Sequence, residues 1–313
     1  MTSLSTARFT RQARTGGLAT LEVQHPLFSA ALALQGAHLY HFAPAGSDSW
    51  LWLSPDARFE PGRAIRGGIP ICWPWFGDPA RNPEPVRDQL HGDSLPAHGF
   101  ARTRMWVLAE LAETDQEVLI TLVPDDKGDS GTAPEAQWRG SASVSLTFRF
   151  RGDSLSLELT TTNTGTQPLA LTQALHTYLP TADIASTTLH GLQGTTYLDT
   201  LDGWQSKKQD GDVSFDGETD RIYQASPAIS VHGPDQYFYL TARGSASTVV
   251  WNPGPDKARR LSDFPDNDWT AMLCVETANA AADFRTLAPG QNHTLAMTLS
   301  RPFPPDEAGV TSR

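Results

Sequence analysis

The stretch SVSLTFRFRGDSLSLELTTTNTG, residues 143 to 165, narrows the fold more than any other part of the chain. Val144, Leu146, Phe148 and Phe150 alternate with Ser143, Ser145, Thr147 and Arg149. After the turn residues Gly152 and Asp153, Leu155, Leu157 and Leu159 alternate with Ser154, Ser156 and Glu158. Apolar residues at every second position on both sides of a Gly-Asp turn predict a β-hairpin with one buried face. Strands of the same kind are read at LATLEVQ, RMWVLAEL, EVLITLVP, QYFYLTAR, STVVWNP and TLAMTLSRP. Helical periodicity with caps is nearly absent, and only EAQW, ending at Trp138, offers a short helical turn. Numerous short strands separated by turn residues, drawn from 25 Gly and 23 Pro, predict an all-β sandwich or barrel. The 313 residues contain no repeat of fixed period and no low-complexity linker, so one domain over 1–313 is expected, with loose polar tails at about 1–17 and 306–313.

Charge and cysteine usage remove several function classes. A formal net charge of -11 repels nucleic acid and anionic membranes, while leaving room for a small anion held by a few local arginines. No apolar run approaches the roughly 20 residues of a membrane span, and the N-terminal MTSLSTARFTRQARTGG has no hydrophobic core of a secretory signal. Cys72 and Cys274 are the only cysteines, far apart and each in an apolar run. Two buried free thiols in a reducing cytoplasm are expected.

RGGIPICWPWFG, residues 66 to 77, fits neither a buried strand nor an ordinary loop. Gly67, Gly68, Pro70 and Pro74 do not suit a strand interior, and Trp73, Trp75 and Phe76 do not suit exposure. A stiff aromatic wall against a ligand, with Arg66 at its lip, reconciles the two. HGFAR adds His98 and Arg102 beside another glycine. Glycine lets backbone approach a ligand closely, and the arginine fork donates to anionic or hydroxyl oxygens. Two long irregular segments, PDARFEPGRAIRGG and DPARNPEPVRDQLHGDSLPAHG, run through these motifs, as functional loops of a β domain do.

Two further segments carry acid/base groups. In TAMLCVETAN, alternation groups Glu276 with Met272 and Cys274, where a carboxyl group is costly unless paired or used. In LALTQALHTYLP, His176 shares a face with Ala170, Thr172, Ala174 and Tyr178. A histidine and a carboxylate make an acid/base pair possible near neutral pH. TYLDTLDGW contributes Asp199 and Asp202. The histidines and cysteines show no metal-ligand spacing, and no Rossmann, P-loop or nucleophile-elbow pattern occurs, so neither metal nor cofactor is expected.

Taken in order, RGGIPICWPWFG, LPAHGFAR, QALHTYL, YLD before DGW, VVWNP and DWTAMLCVETAN resemble the aldose 1-epimerase superfamily, in particular its glucose-6-phosphate 1-epimerase (hexose-6-phosphate mutarotase) branch. The resemblance spans residues 66 to 279, about two thirds of the chain. It implies a large antiparallel β-sandwich of the galactose mutarotase-like supersandwich type. It implies interconversion of the α and β anomers of a hexose 6-phosphate, most simply glucose 6-phosphate. It places His176 as general acid and Glu276 as general base, and puts Arg66, His98, Arg102 and Asp199 around the sugar, with Asp202 a rival to Asp199 because DTLD permits either alignment. The arginines are the candidates for the phosphate. The implied partner is a small-molecule sugar phosphate, and a monomer is expected. Mutarotation of unphosphorylated aldoses and non-catalytic carbohydrate binding are the competing readings.

Overall fold

The computed structural model describes residues 7–13, 16–92, 94–125 and 137–301. Of EAQW, Glu135 and Ala136 lie outside the described residues, as do 1–6, 14–15 and 302–313. Alternation and burial coincide in the hairpin that the sequence announces. Ala142–Arg151 and Ser154–Asn163 pair antiparallel with Phe148 opposite Leu157. Val144, Leu146, Phe148, Phe150, Leu155, Leu157 and Leu159 are all buried. The hairpin belongs to an eight-stranded antiparallel sheet that runs from Thr188–His190 at one edge to Trp106–Glu113 at the other.

A second eight-stranded antiparallel sheet carries the chemistry-bearing segments. Its order is Gln205–Lys208, Thr196–Asp199, Thr219–Tyr223, Ser247–Asn252, Met272–Asn279, Gln173–Leu175 and Ile71–Cys72, with Tyr178–Pro180 also paired to Met272–Asn279. Its central strand, Met272–Asn279, is buried along its whole length. Leu273 and Val275 join the same apolar cluster as Leu146, Phe148 and Leu157 of the first sheet. Fully burying such side chains is worth roughly 1.5–3 kcal/mol each. A third, four-stranded sheet runs from Arg8–Ala13 to His38–Pro44. Its first strand pairs with Ala19–His25, so this part of the expected N-terminal tail is ordered as strand.

The two tryptophans of the aromatic motif are explained by packing, while Phe76 lines the cavity. Trp73 and Trp75 are buried, and both meet Phe100 edge-on, at 5.5 Å and 5.7 Å between ring centroids. The Trp73 indole N–H donates to Thr161 Oγ1 of the first sheet (3.0 Å), and the Trp75 indole N–H donates to the Pro96 carbonyl (2.8 Å). The Trp73–Pro74 peptide is cis. The Trp73 carbonyl accepts the N–H groups of Phe100 and Ala101 at 3.0 Å and 3.2 Å, docking HGFAR against the motif. Gly99 lies between them at φ +69°, and a Cβ there would overlap the Trp73 carbonyl. Gly99→Ala should therefore lose more than about 2 kcal/mol, from backbone strain plus the displaced docking contact. Gly290→Ala, at φ +77° in open space, should lose only about 1 kcal/mol. Urea unfolding of both variants checks this, and equal losses would remove the role given to the docking contact.

Candidate active site

Strand register assembles the floor of a cavity of about 690 Å³, within the range of small-molecule sites. Ile222 lies opposite Val249, and Val249 opposite Glu276, which makes one row across three strands. The next row is Asp220, Trp251, Cys274 and Tyr178. Ile222, Val249, Glu276, Asp220, Trp251 and Tyr178 all line the cavity. The irregular segments close its sides with Arg66, Phe76, Arg81, His98 and Arg102.

His176 enters from the break between Gln173–Leu175 and Tyr178–Pro180, where its backbone N–H donates to the Pro70 carbonyl (3.0 Å). Its ring stacks on Tyr178 at 4.8 Å, and Tyr178 stacks in turn on Trp52 at 5.7 Å. His176 Nε2 stands 3.4 Å from Glu276 Oε1, and both side chains are nearly inaccessible. His176 Nδ1, Glu276 Oε2 and Arg66 Nε are buried without a hydrogen-bond partner. Three orphaned polar atoms around one cavity are an incomplete network of the kind a polar ligand completes.

Electrostatics set the pair's resting state. Burial, reinforced by Arg102 and Arg66, pushes the His176 imidazole down to about 3. Burial, with Asp220 adding repulsion, pushes the Glu276 carboxyl well above the usual carboxylate range. His98 is held well below the ordinary histidine value by burial, then by Arg102 and His176. Burial thus favours the neutral forms of His98, His176 and Glu276 alike. Among the described residues no group of three His, Cys, Asp or Glu side chains could hold a metal ion.

The structure brings together Arg66, His98, Arg102, His176 and Glu276, and leaves Asp199 and Asp202 outside the cavity wall. The Asp199 carboxylate accepts from Lys207 Nζ (2.7 Å) and the Leu201 N–H (3.1 Å), while Asp202 takes the same ammonium at 2.8 Å. Thr200, Leu201 and Trp204 of that turn reach the cavity, and beside Glu276 the acidic side chains that line it are Asp78, Asp220 and Asp263. Sequence reading missed Asp220, although alternation with Ile222 in TDRIY places both on one strand face. The expectation that Trp73 and Trp75 face a sugar is also corrected: the aromatic wall is Phe76, Trp204 and Trp251.

Arg63 and Lys257 line the cavity too, but Arg63 is locked in a fork on Asp263 (2.7 Å for each bond) and Lys257 is paired with Glu218 at 3.0 Å. Among the described residues no carboxylate pairs with Arg66, Arg81 or Arg102. Arg102 donates to the Ala97 carbonyl (2.7 Å), Arg66 reaches Tyr178 Oη at 3.5 Å, and Arg81 lies over the Trp204 ring.

The aldose 1-epimerase family model matches residues 19–300. The chain belongs to the aldose 1-epimerase family. A relative from Salmonella typhimurium is 35% identical over 264 residues, 83% of each chain, and one from Escherichia coli K12 is 34% identical over 263 residues, 83% of this chain and 82% of that one. Both are named "Putative glucose-6-phosphate 1-epimerase". The crystal structure of a mutarotase-named protein from Salmonella typhimurium superposes with a TM-score of 0.80 at 31% identity, over 93% of this chain and 92% of that one. A galactose mutarotase-like protein from Clostridium acetobutylicum shares the fold, with a TM-score of 0.70 at 11% identity, over 93% of this chain and 97% of that one. The antiparallel sandwich read from the strand pattern is the fold of this family.

Three histidines held neutral make the folded state sensitive to acid. His38, buried and bonded through Nε2 to the Gly67 carbonyl (2.9 Å), is pushed down to about 4 by burial. Unfolded histidines take up protons near pH 6.5. Below that value the unfolded chain binds more protons than the folded one, and stability falls with pH. The loss continues until the folded groups titrate, at about 4 for His38 and about 3 for His176. The raised carboxyls of Glu276, Asp220 and Asp268 act oppositely, with His38, His98 and His176 outweighing them below pH 6.5. The urea midpoint should drop steadily from pH 7 to pH 4.5, with His38 alone accounting for roughly 3 kcal/mol by pH 4. A constant or rising midpoint would contradict the neutral assignment.

Proposed function

We propose that this chain interconverts the α and β anomers of a hexose 6-phosphate, with glucose 6-phosphate as the substrate to test first. The observation that carries the reading is the buried His176–Glu276 pair, 3.4 Å apart on the floor of the cavity, each with an unpartnered polar atom. The pair shares one proton. Ring opening moves the C1 hydroxyl proton to the Glu276 carboxylate while His176 protonates the ring oxygen. The C1–O5 electron pair leaves with that oxygen, and the C1 hydroxyl oxygen becomes the aldehyde. Rotation about C1–C2 and closure with the two roles reversed deliver the other anomer. Burial favours the proton on Glu276 when the cavity is empty. A bound hydroxyl donating to Glu276 and a ring oxygen accepting from His176 favour the charged form, at the same proton count. The reading needs no metal or cofactor, and it includes a monomer in a reducing cytoplasm.

His176→Asn and Glu276→Gln should each leave a folded protein with exchange slowed by about 10²–10⁴-fold, measured by NMR anomer exchange above the spontaneous rate. Wild-type kcat/KM should fall in acid when the pair takes a second proton, and in alkali when it loses its only one. The acid limb lies low because His176 resists protonation, and the alkaline limb lies above the ordinary carboxylate range because Glu276 holds its proton. Full activity in either variant would take that residue out of the reaction.

Phosphate enters the reading through charge. Arg66, Arg81 and Arg102 face the cavity of a chain whose net charge is -11, and no carboxylate among the described residues neutralises them. In place of Asp199, Asp220 becomes the acceptor for a sugar hydroxyl. A charge-assisted bond from arginine is worth roughly 1.5–3 kcal/mol. Arg102→Met should therefore reduce kcat/KM for glucose 6-phosphate by about ten- to a hundredfold and for free glucose much less. Arg66→Met combined with Arg102→Met should abolish the preference for the phosphorylated sugar. Equal proportional losses on both sugars would assign these arginines to the ring and make the chain a general aldose mutarotase. Binding with no anomer exchange on any sugar would make it a binding module.

A further inference from the structure

His98 lies in the left-handed region at φ +66°, between Gly77 and the cavity. Its backbone N–H donates to the Gly77 carbonyl (2.9 Å), and the Gly77 N–H donates back to the ring at Nδ1 (3.2 Å). A peptide N–H can only donate, so Nδ1 must present a lone pair there. The Cys72 sulfur lies 3.2 Å from the same nitrogen. Since Nδ1 carries no proton, the thiol is the donor in that contact as well. The imidazole proton therefore resides on Nε2, which has no partner among the described residues.

We infer that Cys72 is a positioning residue for the anomer exchange proposed above: with Gly77 it fixes His98 as an Nε2–H donor toward a substrate oxygen. Cys72 is held for this by Ile71–Cys72, whose register sets Cys72 opposite Ala174. Its side chain is inaccessible, and burial pushes the thiol pKa up, so the S–H group persists at neutral pH. His98 cannot take a proton at Nδ1 without breaking the Gly77 bond. It orients substrate and polarises an oxygen, while His176 and Glu276 move the protons.

The tautomer can be read without substrate. Two-dimensional ¹H–¹⁵N NMR of the histidine rings, with His98 assigned through His98→Gln, should show Nε2 protonated and Nδ1 unprotonated from pH 5 to pH 8. An Nδ1–H tautomer or an imidazolium at neutral pH would overturn the inference, whatever reaction the cavity performs. Cys72→Ala should shift the Nδ1 resonance and lower kcat/KM about three- to tenfold, the scale of one neutral hydrogen bond. Cys72→Ser, whose hydroxyl can donate, should recover part of both. If Cys72→Ala leaves the ring resonances and kcat/KM unchanged, or if serine and alanine lose activity alike, Cys72 is only a packing residue. If His176→Asn and Glu276→Gln leave exchange untouched while the Nε2–H tautomer is found, the proposed reaction fails and the ring assignment stands.

Discussion

A carboxyl group in the middle of a strand buried on both faces is the constraint around which the rest is arranged. Glu276 is nearly inaccessible on the cavity floor, opposite Val249 across the strands, with Cys274 two residues before it and Trp251 opposite that cysteine. Isolated ionisation at such a position costs several kcal/mol, so the group is either neutral or used. Stacking of His176 between the cavity and Tyr178 gives Glu276 a neighbour that can exchange a proton, and both members of the pair keep one polar atom free. A ligand with hydroxyl groups completes the network that the fold leaves open.

The strand pattern was legible because alternation is a local property. The hairpin from Ser143 to Asn163, the strand at Glu117–Pro124 and the central Met272–Asn279 all follow from period-two reading. His176 and Glu276 stood out on small-residue or weakly polar strand faces, and the resemblance of RGGIPICWPWFG and HGFAR to a known family joined them. What sequence could not show depends on partners distant along the chain. Asp199 matches the family motif, yet Lys207 claims its carboxylate across a turn. Trp73 and Trp75 read as a ligand wall because their real neighbours, Phe100, Trp138 and Thr161, come from other segments. Asp220 sat in a stretch rich in Asp and Gly where no motif drew attention to it.

Charge distribution shows a similar separation between global and local properties. The chain as a whole repels anions. Around the cavity, however, Arg63 and Lys257 are paired with carboxylates, while among the described residues Arg66, Arg81 and Arg102 are not. Field lines in a cleft with low-dielectric walls follow the nearest uncompensated charges, so these three arginines outweigh a distant surplus of surface acids. Selection among sugars then depends on geometry at the arginines more than on net charge.

The fork of Arg63 on Asp263 joins two loops 200 positions apart, and the cavity's other walls come from Arg66, His98, His176, Asp220 and Glu276. Segments from Arg63 to Ala281 must come together before the cavity exists. Unfolding that separates these segments dismantles the wall, so binding is thermodynamically coupled to the folding of the part of the chain that carries them. A ligand at a hundred times its dissociation constant then adds about 2.7 kcal/mol to the stability of that part of the chain. In a cell, the concentration of such a metabolite would help set how long each copy survives surveillance by proteases.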